Sequence, residues 1–456
     1  MDGMVSFLCF ADAMTDLVPA ASADLLAALI AGGDSRLVVD TRTGTNKYLC
    51  PPAPAPDLLC LSSCTASPVT ARGFRRAAGF YAALMATRSA LGRSQALEHE
   101  YHQLSARLLG YFGVADIAEA ILCQSGTDAL LAAATLVAKE RPGEPITAIL
   151  PAATETGTGV PLAVAGRCFD GVAPGGVSPQ TLGSPVETVE IPLRSADGTP
   201  REDGEVVAAY AAAVSAARGR PIVYLTHSTK TGLIAPVVPP AGADVIVDAC
   251  QARIAPATVA RYLRQGWPVV VTGSKFFGGP AFAGAVLVPT ARWSAGYGGD
   301  ALLHGSGAAN LGMVLRWIAA LDAIEAFGPM SAAMSALLKN QAAAIEAGLA
   351  CNPALQPIGA LVSAGHCWSA LPSIFTFAVR DPANRNRLLS ATELRPLYER
   401  LARGGILLGQ PVSVGSFGGL RIAVGARDLL PDAPDDGGLA RLFLALKLET
   451  ECTRTG

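Results

Sequence analysis

Apolar and polar positions alternate with two periods along this chain. Short apolar runs, several of them bounded by Gly or Pro as in buried strands, occur at Ala120–Cys123, Ile146–Leu150, Pro221–Leu225, Asp244–Asp248, Val269–Val271 and Gly284–Val288. Val186–Ile191 reads as an edge strand. Between several of these runs the spacing turns helical. Gln95–Leu109 places Leu97, Tyr101, Leu104 and Leu108 on one stripe, and an Ala/Leu-rich helix runs to Val137. Glu205–Arg218 is a third helix, and Pro256–Gln265 a fourth, with Pro at its start and Gly266 at its end. Strand, helix, strand in succession predicts right-handed crossovers and an α/β sheet of mostly parallel strands. Gly284–Val288 follows its predecessor too closely for a helical crossover and is expected antiparallel. Helices at Asn310–Phe327, Met330–Ala350, Ala391–Gly404 and Asp436–Leu448, with strands at Ile374–Val379 and Gly419–Val424, form an α+β tail. At the other end a helix near Ser22–Ala31, capped by Ser22, precedes a short strand at Arg36–Asp40. A polar, Gly/Pro-rich arm follows over 41–70, either a solvent loop or a segment folded over a pocket.

Composition narrows the class. Hydrophobic residues make up 51% and charged ones 16% of 456 positions, enough for a large core and for surface buried in an oligomer. The formal charge of −2 is spread without blocks, which argues against nucleic-acid or membrane-surface binding. No apolar run approaches the ~20 residues of a membrane span, and no basic leader opens the chain, so a cytoplasmic enzyme is expected. Ten scattered cysteines form no CxxC pair and are expected reduced. His99 and His102 lie three apart on a helix, a metal face or a solvated polar face, and no third ligand cluster accompanies them, so no metal is expected.

The chemistry concentrates at strand ends. Val269–Val271 runs into Thr272-Gly-Ser-Lys275, and the preceding strand ends in Asp248. Open α/β sheets bind ligands beyond the carboxyl ends of their strands. A lysine and an aspartate on one rim are either an ion pair or a Schiff-base lysine and the carboxylate that keeps a pyridine nitrogen protonated. The junction Gln124-Ser-Gly-Thr127 is either an ordinary capped helix or an anion site of free amides and a hydroxyl.

The ordered set Ser-Gly-Thr (125–127), Thr-Glu-Thr-Gly (154–157), His-Ser-Thr-Lys-Thr-Gly (227–232), Val-Asp-Ala-Cys-Gln (247–251) and Thr-Gly-Ser-Lys (272–275) resembles fold-type I pyridoxal-phosphate-dependent enzymes, within them the class V aminotransferase and cysteine desulfurase branch. The resemblance implies a mostly parallel seven-stranded sheet in a large domain over 71–325, a smaller α+β domain over 326–456 and an arm over 1–70 serving both the small domain and the active site. It implies pyridoxal 5'-phosphate held as a Schiff base on Lys275, with Asp248 on the pyridinium nitrogen and Gln251 and Thr229 near the phenolic oxygen. Gly126, Thr127, Thr272 and Ser274 would hold the phosphate, and Thr156 falls where relatives place a stacking aromatic or histidine. Arg421 would bind the substrate carboxylate, a task its planar fork suits, and Tyr48 on the arm would help bind substrate. A loop at Gly298–Gly307 resembles one that reaches the partner's cofactor, implying a homodimer. The expected activity is a transferase acting on an α-amino acid through an external aldimine and a Cα carbanion, aminotransferase-like, in specialised biosynthesis. The alternative is β- or γ-elimination or replacement, including C–C bond formation; a non-catalytic member of the fold is disfavoured by the presence of Lys275, Asp248 and Arg421. The segment Leu408–Gly418 lacks the cysteine a desulfurase carries there, and Ser274 stands for its histidine, so desulfuration is disfavoured. Cys367 in Gly365-His-Cys-Trp368 is read as structural.

Overall fold

The computed structural model describes residues 23–171, 183–234, 238–293, 310–359, 368–430 and 437–451. Seven strands form the main sheet: β2 (Ala118–Cys123), β3 (Ile146–Pro151), β4 (Val186–Ile191), β5 (Arg220–Thr226), β6 (Asp244–Ala249), β7 (Val269–Thr272) and β8 (Gly284–Pro289). Their spatial order is β2-β8-β7-β6-β5-β3-β4. β8 runs antiparallel to both its neighbours, and the other pairs are parallel. The sequence predicts both features. β3, β7 and β8 are buried along their whole length, which is why they read as unbroken apolar runs rather than alternating ones. Register places Thr226 beside Asp248 on adjacent strand ends.

Helices cover the sheet. α1 (Ala23–Ile30), α2 (Ala71–Ala86) and α3 (Ala90–Phe112) precede it; α4 (Gly126–Lys139), α5 (Val160–Val164), α6 (Asp203–Ser215) and α7 (Pro256–Arg264) connect its strands; α8 (Leu311–Phe327) and α9 (Ala332–Ala350) follow. α4 is buried from Thr127 to Ala138, and α8 on nearly every side. A second sheet of five strands has the order β1-β11-β12-β10-β9, from β1 (Leu59–Leu61), β9 (Leu355–Ile358), β10 (Ile374–Val379), β11 (Ile406–Val414) and β12 (Phe417–Ala423). It is flanked by α10 (Arg395–Arg403) and α11 (Gly437–Glu451). β1 comes from the arm yet pairs in parallel with β11, Leu59 opposite Ile406.

One expectation needs correcting, and some elements went unpredicted. Arg36–Asp40 is not a strand. Asp34 accepts both the Arg36 backbone N–H and its guanidinium, a local turn that competes with ladder pairing, and only Asp40 forms a bridge, to Thr45. Helix α2 was hidden by three arginines and two glycines in its sequence. Thr70 caps it by accepting from Gly73 N–H at 3.0 Å, and a Cβ on Gly73 would stand 2.8 Å from the Ala319 carbonyl oxygen, so glycine is what lets α2 and α8 meet. Strands β9 and β11 were likewise not foreseen. The Ser22 cap, the 298–307 loop and Cys367 lie outside the described residues.

Candidate active site

The C-terminal ends of β5, β6 and β7 open into one cavity of about 200 Å³, closed on its other sides by the N-terminus of α4, the arm and the β11–β12 hairpin. A larger depression of about 520 Å³ lies at the opposite edge, around Arg218, Arg220 and Asp244. Arg220 and Arg292 each pair there with both Glu140 and Asp244, so its charges are mutually satisfied and the chemistry belongs to the first cavity.

Lys275 and Asp248 both line the first cavity. Asp248 is 6% exposed. Its Oδ1 accepts from Cys250 N–H at 2.9 Å, and among the described residues no cation pairs with it. No hydrogen bond or salt bridge holds the Lys275 amine among the described residues, so the simple ion-pair reading of these two groups does not describe the structure. An enclosed carboxylate without a cation is costly unless a cationic group comes to it.

At the other end Ser125 caps α4, its Oγ accepting from Asp128 N–H at 3.2 Å and donating to the Asp128 carboxylate at 2.7 Å. The cap leaves the Gly126 and Thr127 amides unpaired at a helix N-terminus, the preferred seat of an anion. A Cβ on Gly126 would lie 2.7 Å from Cys250 Sγ and 3.1 Å from Thr272 Cγ2, so the wall fits closely. The Thr156 and Thr226 hydroxyls also face this cavity, buried and unpartnered. Free amides, orphaned hydroxyls, a free amine and an unpaired carboxylate fit the donor set that a phosphorylated pyridine aldehyde requires.

The other expected residues fare unevenly. Ser274 and Tyr48 line the wall. Thr272 lines it too, but its hydroxyl donates to Cys250 O at 2.7 Å, which spends the proton a phosphate would need. Gln251 lines the wall with its amide partly engaged, donating to Cys64 O and accepting from Arg253, so it ties the arm to the sheet. Thr229 does not reach the cavity. It is wholly buried, and its Oγ1 accepts from the Thr231 and Leu233 amides to close a turn; Ser228 lines the wall in its place. Thr156 stands where a ring-stacking group was sought, and Phe282 supplies an aromatic to the same wall at φ 70°, a backbone strained for a bulky residue.

Arg421 reaches the cavity from β12 and is 3% exposed. Its guanidinium donates to Gln410 O, Lys230 O and Thr65 Oγ1, all neutral oxygens, and among the described residues one of its five N–H groups is unspent and no carboxylate pairs with it.

Arg36 and Lys230 also escaped the sequence reading. Arg36 is clamped by Asp34, donates to Thr127 Oγ1 at 3.1 Å and stacks 4.1 Å from the Phe169 centroid. This brings a cation to the α4 anion site from outside the sheet. Lys230 donates to Ala153 O at 2.7 Å beside Arg421. The arm is therefore folded over the pocket, contributing Arg36, Tyr48, Cys64 and Thr65.

No family model and no curated protein matches the sequence. Solved structures do match the fold. A NIFS-like protein superposes with a TM-score of 0.55 at 16% identity, over 87% of this chain and 99% of its own. The cysteine desulfurase CsdA from Escherichia coli gives 0.53 at 15%, over 87% and 95%. A variant of C-DES with glycine covalently linked to its PLP cofactor gives 0.58 at 14%, over 86% and 97%. With its seven-stranded sheet, its five-stranded companion and these neighbours, the chain has the fold of the fold-type I pyridoxal-phosphate-dependent enzymes.

Proposed function

We propose that this protein binds pyridoxal 5'-phosphate and transforms an α-amino acid, with aminotransferase-like transfer as the leading reaction. The observation that supports this is the buried Asp248 carboxylate, without a cation partner among the described residues, sharing one cavity with the Lys275 amine and the open amides of α4. When bound, the cofactor supplies a protonated ring that takes up the electron pair left at Cα. Every other task falls to this chain. The Lys275 amine would hold the cofactor and would accept and return the Cα proton. Asp248 holds the ring nitrogen protonated. Gly126, Thr127 and Ser274 hold the phosphate, with the α4 dipole offsetting its charge. Arg421 and Tyr48 hold the substrate.

A second reading, elimination or replacement at Cβ or Cγ, has a specific support: one structural neighbour, with a TM-score of 0.56 at 14% identity, is described as a cystine C–S lyase. Desulfuration stays disfavoured, because the β11–β12 hairpin carries no cysteine and the cavity thiols Cys64 and Cys250 come from the arm and from the turn just after β6. We also propose a homodimer in the cytoplasm and the division into an arm over 1–70, a cofactor domain over 71–325 and a small domain over 326–456.

The test is spectroscopic. Protein purified with added cofactor is expected to show a visible absorption band that Lys275→Ala lacks, and a colourless protein that takes up no cofactor would remove the proposal. An amino donor supplied without an acceptor then separates the two reactions. Stoichiometric aminated cofactor means transfer, and released ammonia or leaving group means elimination.

A further inference from the structure

The turn between β5 and the following loop, Thr226–Gly232, is fastened at several points. Lys230 N–H donates to Glu155 O at 3.0 Å, Thr231 Oγ1 donates to the Glu155 carboxylate at 2.5 Å, and Thr376 Oγ1 donates to Thr231 O at 2.7 Å. Arg421 clamps the Lys230 carbonyl at 2.9 Å. Lys230 is thus held rigidly, with its side chain in the wall of the active cavity. One N–H of its ammonium goes to Ala153 O, and two remain.

The charges around it do not balance. Glu155 is the nearest carboxylate in the wall, but Arg194 already takes its Oε1 at 2.7 Å. Asp34 is spent on Arg36, and under the proposed reading Asp248 would serve the ring nitrogen. No carboxylate pairs with Lys230 or with Arg421 among the described residues. Two cations therefore stand side by side at the substrate end, where a simple amino acid brings only one carboxylate. Burial and the neighbouring Arg421 and Lys275 both disfavour the Lys230 charge, which an added anion would restore.

We propose that Lys230 is a specificity-determining residue that binds a second acidic group on the substrate, so that the natural substrate is an acidic amino acid. This rests on the reading of the cavity given above. Arg421 takes the α-carboxylate, and the two unspent N–H groups of Lys230 take a side-chain carboxylate, phosphate or sulfonate.

The experiment titrates the holoenzyme and its Lys230→Met and Lys230→Arg variants with L-aspartate, L-glutamate, O-phospho-L-serine and L-cysteate, and with L-asparagine and L-glutamine as neutral counterparts. Binding is read from the change in the cofactor's absorption spectrum. Wild type is expected to bind at least one acidic ligand about tenfold or more tightly than its neutral counterpart, the effect of one partly buried ion pair. Lys230→Met should erase that ratio with little change for the neutral ligands, and Lys230→Arg should keep most of it. The preferred acid among the four identifies the second group. Equal binding of acidic and neutral ligands by wild type overturns the proposal. So does equal weakening of both by Lys230→Met, which would mark Lys230 as a prop for the 152–159 loop. In either of those cases the coloured, ligand-responsive enzyme would leave the cofactor reading standing, whereas a protein that takes up no cofactor would overturn both.

Discussion

Asp248, Lys230 and Gly126 each carry a prediction at the scale of a single side chain. Asp248 is enclosed, and under the proposed reading the pyridinium would be the cation that pairs with it. Asp248→Asn is expected to keep the Lys275-dependent absorption band while turnover falls by about a hundredfold or more, since only the ring's electron demand is lost. Steady-state kinetics beside a spectrum checks both halves. Lys230 is pushed down to about 8, first by burial and then by Arg421, with Lys275 acting in the same direction and Glu155 against it. Its folded value lies below its unfolded one, so between about 8 and 10.5 the folded chain holds fewer protons, and this group's contribution to stability rises with pH across that window. Binding runs the other way. The affinity for an acidic ligand should fall as pH rises above about 8, and the fall should vanish in Lys230→Met. Gly126→Ala would place a methyl 2.7 Å from Cys250 Sγ. It is expected to weaken cofactor binding while leaving the helix intact, as cofactor titration alongside circular dichroism will show.

At the scale of elements, the α4 N-terminus couples stability to the anion site. Ser125→Ala removes the acceptor for Asp128 N–H and should cost about 1 kcal/mol in chemical denaturation of the apo protein. What was legible in the sequence followed from burial on both faces: β3, β5, β6, β7 and β8 are continuous apolar runs, and Asp248 stands out at the end of one and Lys275 three residues beyond another. Position at a strand end was enough to bring these two with Gly126, Thr127 and Ser274 to one wall. It could not resolve which residue of the turn after β5 faces inward, because that depends on the hydrogen bonds that draw the Thr229 hydroxyl into the turn and leave Ser228 on the wall. Arg36 was illegible for a related reason. Its partner Asp34 is two residues away, but Thr127 and Phe169 are reached only through tertiary folding. A buried arginine beside a local aspartate turn was the available signal.

For the whole molecule, cofactor binding should be visible as stability. At a free concentration of about a hundred times Kd, a ligand that binds only the folded state adds about 2.7 kcal/mol. The Tm of wild type is expected to rise with added pyridoxal 5'-phosphate, and that of Lys275→Ala to rise less, in a thermal-shift series. The cavity wall draws on residues from Arg36 to Arg421. That span has a temporal consequence, through the pairing of Leu59–Leu61 with Ile406–Leu408. During translation the early strand leaves the ribosome with its partner still unmade. At roughly 5–20 residues per second, it waits on the order of 20–70 seconds for the matching segment. Through that interval Leu59, Cys60 and Leu61 present an unfilled edge to solvent or to a chaperone, so this edge strand of the second sheet exists long before the segment that seats it.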